Sequence, residues 1–197
     1  GNVVLEETRK PAPASEEAAG VLAKAAVAAG IEKFVDPQAL AQLRTRLTLA
    51  REAFPEAHFP AFDDAFLLHG LTAACHGLTT FRELDESWSL DQLVAELTAV
   101  QSKLLRERFP ERVTLPGGRG VAVNYEVGKP PWIESRLQDF FGMAQGPSVG
   151  GGRIPLVIHL LAPNLRAVQV TTDLAGFWER HYPGIRKELM RKYPRHL

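Results

Sequence analysis

The sequence predicts an α+β protein: an N-terminal helical bundle followed by a ββαββα unit with a small, mostly antiparallel sheet. Three observations predict it. From Ser15 to Phe109, apolar residues recur at helical spacing and are punctuated by capping residues. At Pro110 the pattern changes to short alternating runs separated by Pro and Gly turns. The composition, 45% hydrophobic and 23% charged over 197 residues, can fill the core of one large domain or two small ones.

Residues 2–6 (NVVLE) read as a lone strand, followed by a Pro/Ala-rich linker at 10–14. A single strand cannot satisfy its own backbone groups, so it is expected to pair elsewhere in a longer protein. Ser15 caps the first helix, Glu16 and Glu17 suit the positive end of its dipole, and Gly30 stops it. Asp36-Pro37 is an N-cap followed by proline at the first helical position, where a missing N–H costs nothing. Leu40, Leu43, Leu47 and Phe54 then share one face. A third helix is expected from Phe62 to about Cys75, with Gly77 as its stop. Ser89 and Gln92 form a capping box for a helix whose stripe is Leu90, Leu93, Leu97, Val100 and Leu104. Residues 15–110 form a helical subdomain on this reading.

Residues 113–115 and 121–125 alternate around the turn Pro116-Gly117-Gly118-Arg119, which predicts a hairpin. Pro130-Pro131 breaks the chain, and Ile133, Leu137 and Phe140/Phe141 predict a short helix ending at Gly142. A glycine-rich connector, 145–153, leads to residues 154–162, apolar on both alternations as in a strand covered on two faces. Residues 167–172 make a further strand. Asp173 caps the final helix, which carries Leu174, Phe177, Trp178 and Leu189 and is kinked or split by Pro183.

The net charge is zero but unevenly placed. Residues 1–110 hold 11 Lys/Arg against 16 Asp/Glu, a balance of −5; residues 111–197 hold 12 against 7, a balance of +5. Such a split fits two regions with different partners, two regions that attract each other, or two ordinary solvated surfaces. No apolar run is long enough to span a bilayer, residues 1–10 lack the pattern of a signal peptide, and Cys75 is the sole cysteine. A cytoplasmic protein without intrachain disulfides is expected.

Few residues suggest chemistry. Residues 146–153 (GPSVGGGR) superficially resemble a phosphate loop, but here the glycines precede a strand instead of a helix N-terminus. The segment reads as a connector, with Arg153 as a candidate grip for phosphate. His159 reads as a buried neutral histidine, and Cys75-His76 with His69 lacks a fourth zinc ligand. Phe177 and Trp178 read as core, while Tyr182 could pack or stack on a base. The basic run is the strongest candidate. Residues 176–197 hold six Arg/Lys against Glu179 and Glu188, and Arg186, Lys187, Arg191 and Lys192 could track a phosphate backbone or form a solvated face.

The C-terminal segments resemble the C-terminal domain of bacterial HrpB-type ATP-dependent helicases. The resemblance rests on Leu115-Pro116 with Gly118-Arg119, Arg136-Leu137-Gln138 with Phe141-Gly142, and Gly151-Gly152-Arg153-Ile154-Pro155. It continues through His159-Leu160-Leu161-Ala162-Pro163, Val168-Gln169-Val170-Thr171, Phe177-Trp178 and Tyr193-Pro194-Arg195-His196. It implies a C-terminal α+β domain at 111–197, a helical subdomain at 15–110, and residues 1–14 as the end of an OB-like domain. It also implies a parent with two RecA-like motor lobes that uses ATP and magnesium to remodel nucleic acid, most often RNA. Those upstream lobes and the OB-like domain would be this region's partners, with single-stranded RNA a further one. No G-x-x-x-x-G-K-[ST] loop or D-E-x-H box occurs in this chain, which implies a region with no catalytic site or cofactor of its own. Such a region either guides nucleic acid or serves as a docking scaffold that touches none. The purified chain is expected to release no phosphate from ATP above background; nucleotide-dependent turnover in a steady-state assay would overturn that.

Overall fold

The computed structural model describes residues 15–192. The strand expected at 2–6 and the closing segment from Tyr193 lie outside the described residues. The chain forms two compact units. The first contains residues 15–40 and 61–98, and the second 41–60 and 99–192. The units therefore interleave along the chain and do not meet at a single point near residue 110.

The first unit is helical: α1 (Glu16–Ala29), the start of α2 (Pro37–Ala53), α3 (Asp64–Ala74), α4 (Phe81–Ser87) and α5 (Leu90–Ala95). Local chemistry sets the helix ends. The Ser15 hydroxyl accepts from the Ala18 N–H at 3.1 Å, and Asp36 accepts from Ala39 at 2.7 Å. Gly30, at φ +95°, takes a backbone conformation that a side chain would strain. α1 packs on α3, and the residues it buries, Ala19, Ala23 and Ala26, are small. α4, not foreseen in the sequence, is fixed by a capping box between Thr80 and Glu83. Its donors also hold the Glu83 carboxyl below the usual range, led by the Thr79 backbone N–H.

The single helix expected from Leu90 to Phe109 is two. α5 ends near Glu96, and α6 (Ala99–Arg108) restarts with a different phase. Gln101 and Leu105 are its buried residues, whereas Val100 is 66% exposed. The break moves the buried stripe by one position, so the apolar spacing that ran through Val100 and Leu104 was misleading.

In the second unit, the C-terminal part of α2 meets the crossover from helix to strand. Arg46 is buried; its Nε donates to the Phe109 carbonyl at 2.8 Å and its Nη1 to Glu111 at 2.6 Å. The Tyr125 hydroxyl donates to the Pro110 carbonyl at 2.8 Å, and its backbone N–H donates to the Gln42 side chain at 3.2 Å. Burial pushes the Tyr125 phenol well above its ordinary pKa, against a smaller opposing effect from Arg46. Gln101 reaches the carbonyls of Ala57 and His58, both at 3.0 Å. Main-chain carbonyls that a change of direction would leave bare are thus satisfied.

The expected hairpin is present: β1 (Arg112–Thr114) pairs antiparallel with β2 (Gly120–Ala122), with Val113 opposite Val121. The helix expected at 133–141 is instead strand β3 (Trp132–Arg136) followed by a 3₁₀ turn, Leu137–Phe140. Ile133 and Ser135 are buried two apart, the period of a strand, and Leu137 and Phe140 are buried three apart in the turn. Those last two gave the sequence its helical look. β4 (Ser148–Val149) and β5 (Ile154–Pro155) form a small hairpin, and β6 (Val157–Leu161) continues after Leu156. β3 pairs parallel with β6, which pairs antiparallel with β7 (Ala167–Thr171), in the order β3-β6-β7. Three of the four strand pairings among the described residues are antiparallel, and the architecture is α+β as predicted.

β6 is not covered on both faces. Ile158 and Leu160 are fully buried, but Val157, His159 and Leu161 are only half-buried. His159 lies stacked on Trp132, ring centroids 4.7 Å apart, and is not enclosed in the core. The described residues end in α7 (Leu174–Gly176), a π turn (Phe177–His181) and α8 (Tyr182–Lys192).

The Arg46 contact makes an asymmetric prediction. Arg46→Met strands a buried carbonyl and is expected to destabilise the second unit by about 1–3 kcal/mol. Glu111→Gln, at a side chain that is 76% exposed, should cost less than about 1 kcal/mol. Urea titration of both variants checks the order, and equal losses would contradict it.

Candidate nucleic-acid interface

The C-terminal helix collects most of the candidate site residues, and its start decides which way they face. The Asp173 carboxylate accepts from the Gly176 N–H at 2.8 Å and pairs with Arg180 at 2.7 Å. Asp173 is the expected cap. The helix then widens: the Tyr182 N–H donates to the Phe177 carbonyl, five residues back, instead of four. Pro183 comes immediately after and has no N–H to offer the preceding turn, which accounts for the break in the regular ladder. The expected split at Pro183 is therefore a π turn inside a continuous helix.

Phe177 is buried, as expected. Trp178 is only half-buried, so the expectation of core holds for part of its ring; its Nε1–H donates to the Met143 carbonyl at 2.8 Å. Tyr182 is half-buried beside it. Leu189, seven residues on, is buried and seats α8 against the unit.

From Tyr182 onward, roughly 100° per residue fixes the directions of the cations. Arg186, Lys187 and Arg191 fall within an arc of about 140° on one side of the buried stripe. All three are exposed, and Glu188 lies outside the arc. No described carboxylate forms an ion pair with any of them. Lys192, also exposed, comes off the opposite flank of the stripe, so the helix brings together three of its four candidate cations.

Arg153 is engaged elsewhere. Its guanidinium donates to the Ala53 carbonyl and lies over the Phe54 ring, 4.7 Å from the centroid. The glycines before it make the turn between β4 and β5: Gly150, Gly151 and Gly152 all have positive φ. The Gly150 N–H donates to the Arg108 carbonyl at 2.6 Å, a close backbone approach within the same unit. The segment is thus a shaped turn and not a featureless connector. Cys75 is buried, which raises its thiol pKa, and His69 faces Glu96 at 3.0 Å.

Sequence reasoning missed Phe141, which the structure brings against both Trp178 and Tyr182, with ring centroids 5.8 and 5.9 Å away. Its only local signal was an aromatic pair, Phe140-Phe141, of which Phe140 is the buried member. Among the described residues, no helix is long and apolar enough to cross a membrane.

Residues 70–197 match a family described as ATP-dependent helicase C-terminal, so the protein falls in the class of helicase C-terminal domains. Within that class, the chain belongs to the HrpB_C family. It is 36% identical over 163 residues to the ATP-dependent RNA helicase HrpB of Escherichia coli (strain K12), covering 79% of this chain and 20% of that protein. A crystal structure of the E. coli DExH-box NTPase HrpB matches 99% of this chain with a TM-score of 0.86 at 31% identity. A second, of the Escherichia coli DEAH/RHA helicase HrpB, matches 79% with a TM-score of 0.66 at 35% identity. The chain spans 20–24% of the length of these relatives.

The cap at Asp173 sets an acid limit on the final helix. Its carboxyl is held below the usual range, first by the Gly176 N–H and then by Arg180. A depressed pKa contributes stability that is present above the unfolded value, about 3.9, and is lost as pH falls through the folded one. Asp173→Asn keeps an oxygen for the Gly176 N–H but loses the charge. The melting-temperature gap between wild type and variant should therefore close as pH falls from about 5 into the acid range. A gap that stays constant would remove Asp173 from the acid response.

Proposed function

We propose that this chain is the accessory C-terminal region of an ATP-dependent RNA helicase and that it guides single-stranded nucleic acid along its final helix. Catalysis belongs to motor lobes outside this chain, where ATP and magnesium are held. The observation that carries the reading is the arc of exposed cations, Arg186, Lys187 and Arg191, with no described carboxylate paired to them. Such an arc meets phosphates without first breaking ion pairs, and phosphate contact releases counterions from the strand. The family supports the setting, since the similar E. coli protein carries the name of an RNA helicase. The positive balance of residues 111–197 fits the same reading, but it equally fits a scaffold docked on acidic protein surfaces.

Salt dependence separates the two. Three phosphate contacts give a slope of log affinity against log salt of about −2 for single strands. Arg186→Gln with Lys187→Gln preserves helix propensity and should flatten the slope by about 1.4. Lys192→Gln, off the arc, should leave it unchanged. Titration of a single-stranded RNA from about 50 to 200 mM salt checks all three, a range over which such binding weakens strongly. Equal slopes in wild type and double variant, or no binding at low salt, would favour the scaffold.

A further inference from the structure

Beside the cation arc lies an aromatic patch whose construction the phosphate reading does not use. Trp178 and Tyr182 have centroids 5.1 Å apart with their planes at 86°, and Phe141 completes the triangle at 5.8 and 5.9 Å. Buried Phe177 backs the group, 5.0 Å from Trp178 and 6.3 Å from Tyr182. The hydrogen bond from Trp178 to Met143 fixes one edge of the indole, and a shallow, open depression of about 410 Å³ lies over Phe141, Gly142, Met143, Ala144, Trp178 and Tyr182. Phe141 is 44% exposed, and the other two rings are half-exposed.

Two features indicate what this patch takes. First, the rings pack edge to face, at 86°, 68° and 53° to one another, so a flat group can stack on one of them at a time with the others beside it; Phe141, 44% exposed, is the most open. Second, the patch adjoins positive charge: Tyr182 and Arg186 are one helical turn apart, where side chains are neighbours. A flat apolar ring next to a negative charge describes one nucleotide of an unpaired strand, and stacking on aromatics is the usual way such bases are held without sequence preference. The π turn supplies the geometry, because it departs from the regular helix just where Trp178 and Tyr182 come together.

We infer that Phe141, Trp178 and Tyr182 form a stacking site for an unpaired nucleobase whose neighbouring phosphate is met by Arg186. This rests on the proposed nucleic-acid contact of the final helix and adds the base as a second determinant.

The test compares two strands of equal charge on the whole 197-residue chain: an adenosine 12-mer and an abasic ribose-phosphate 12-mer. Stacking predicts that the adenosine strand binds about tenfold tighter for each base held. Phe141→Leu with Tyr182→Leu keeps apolar packing but removes two of the three π faces; it should cut the preference to what Trp178 alone supplies, further than Phe141→Leu alone, with the salt slope as in wild type. Tyr182→Phe should retain the preference, and Phe141→Leu alone, at an exposed position, should reduce it without unfolding the protein. Equal wild-type affinity for both strands, with the salt slope intact, overturns the stacking site and leaves the cation arc standing. A base preference that persists in the Arg186→Gln/Lys187→Gln variant, with an unchanged slope, supports stacking by the three rings but overturns both the arc and Arg186 as the phosphate contact. Failure of both strands to bind at 50 mM salt overturns both and leaves the patch as a protein-facing surface.

Discussion

The second unit depends on one buried guanidinium. Arg46 takes hold of the Phe109 carbonyl and the Glu111 carboxylate, on either side of the proline that ends the last helix before the sheet. A chain leaving a helix carries carbonyls without intrahelical partners, and burying that end without donors would be expensive. Arg46 supplies one donor, and the Tyr125 hydroxyl supplies the next, to Pro110. The ion pair avoids the usual penalty for buried charge because Glu111 remains 76% exposed and keeps most of its hydration. This explains why residues 41–60, far earlier in the chain, belong to the same compact unit as the strands.

The same solution recurs at other helix ends of this unit. Gln101 serves two carbonyls of the turn after α2, Arg153 serves the Ala53 carbonyl at the end of that helix, and the Gly150 N–H serves Arg108. Each is a long-range donor meeting a main-chain acceptor at a helix end. Side chains that look from the sequence like free surface groups are thereby committed to structure. Arg153 is the plainest case: its position after a glycine run invites a phosphate-binding reading, yet its charge is spent on a carbonyl and an aromatic ring.

The sequence was most legible where causes are local. Ser15, Asp36, Ser89 and Asp173 all stand at the helix starts they announced, because a cap needs only its next three residues. It was misleading where a local pattern had two meanings. Ile133, Leu137 and Phe140 fit a helix by spacing, but pairing of β3 with β6 fixes Ile133 in a strand and leaves Leu137 and Phe140 to a 3₁₀ turn. The α5–α6 break at Glu96–Thr98 likewise could not be seen from a stripe that stays apolar on both sides. For the candidate site, the cationic residues were visible as a run, while the contribution of Phe141 was not. It comes from a different element and joins Trp178 and Tyr182 only through the fold.

The π turn carries one extra residue within a helix that would otherwise wind regularly from Leu174 to Lys192. The wide turn takes up that residue, so deleting it would restore regular winding and leave the rest of the helix in phase. An insertion or deletion between Tyr182 and Arg186, where the winding is regular, would instead turn everything beyond it by roughly 100°, and Leu189 would leave the core as the cations swing round. Anchorage and charge on α8 are therefore phased together like teeth on one gear: insertions or deletions cannot re-aim the basic residues without also unseating the helix. Any change in where this surface points must instead come by exchanging side chains at fixed positions.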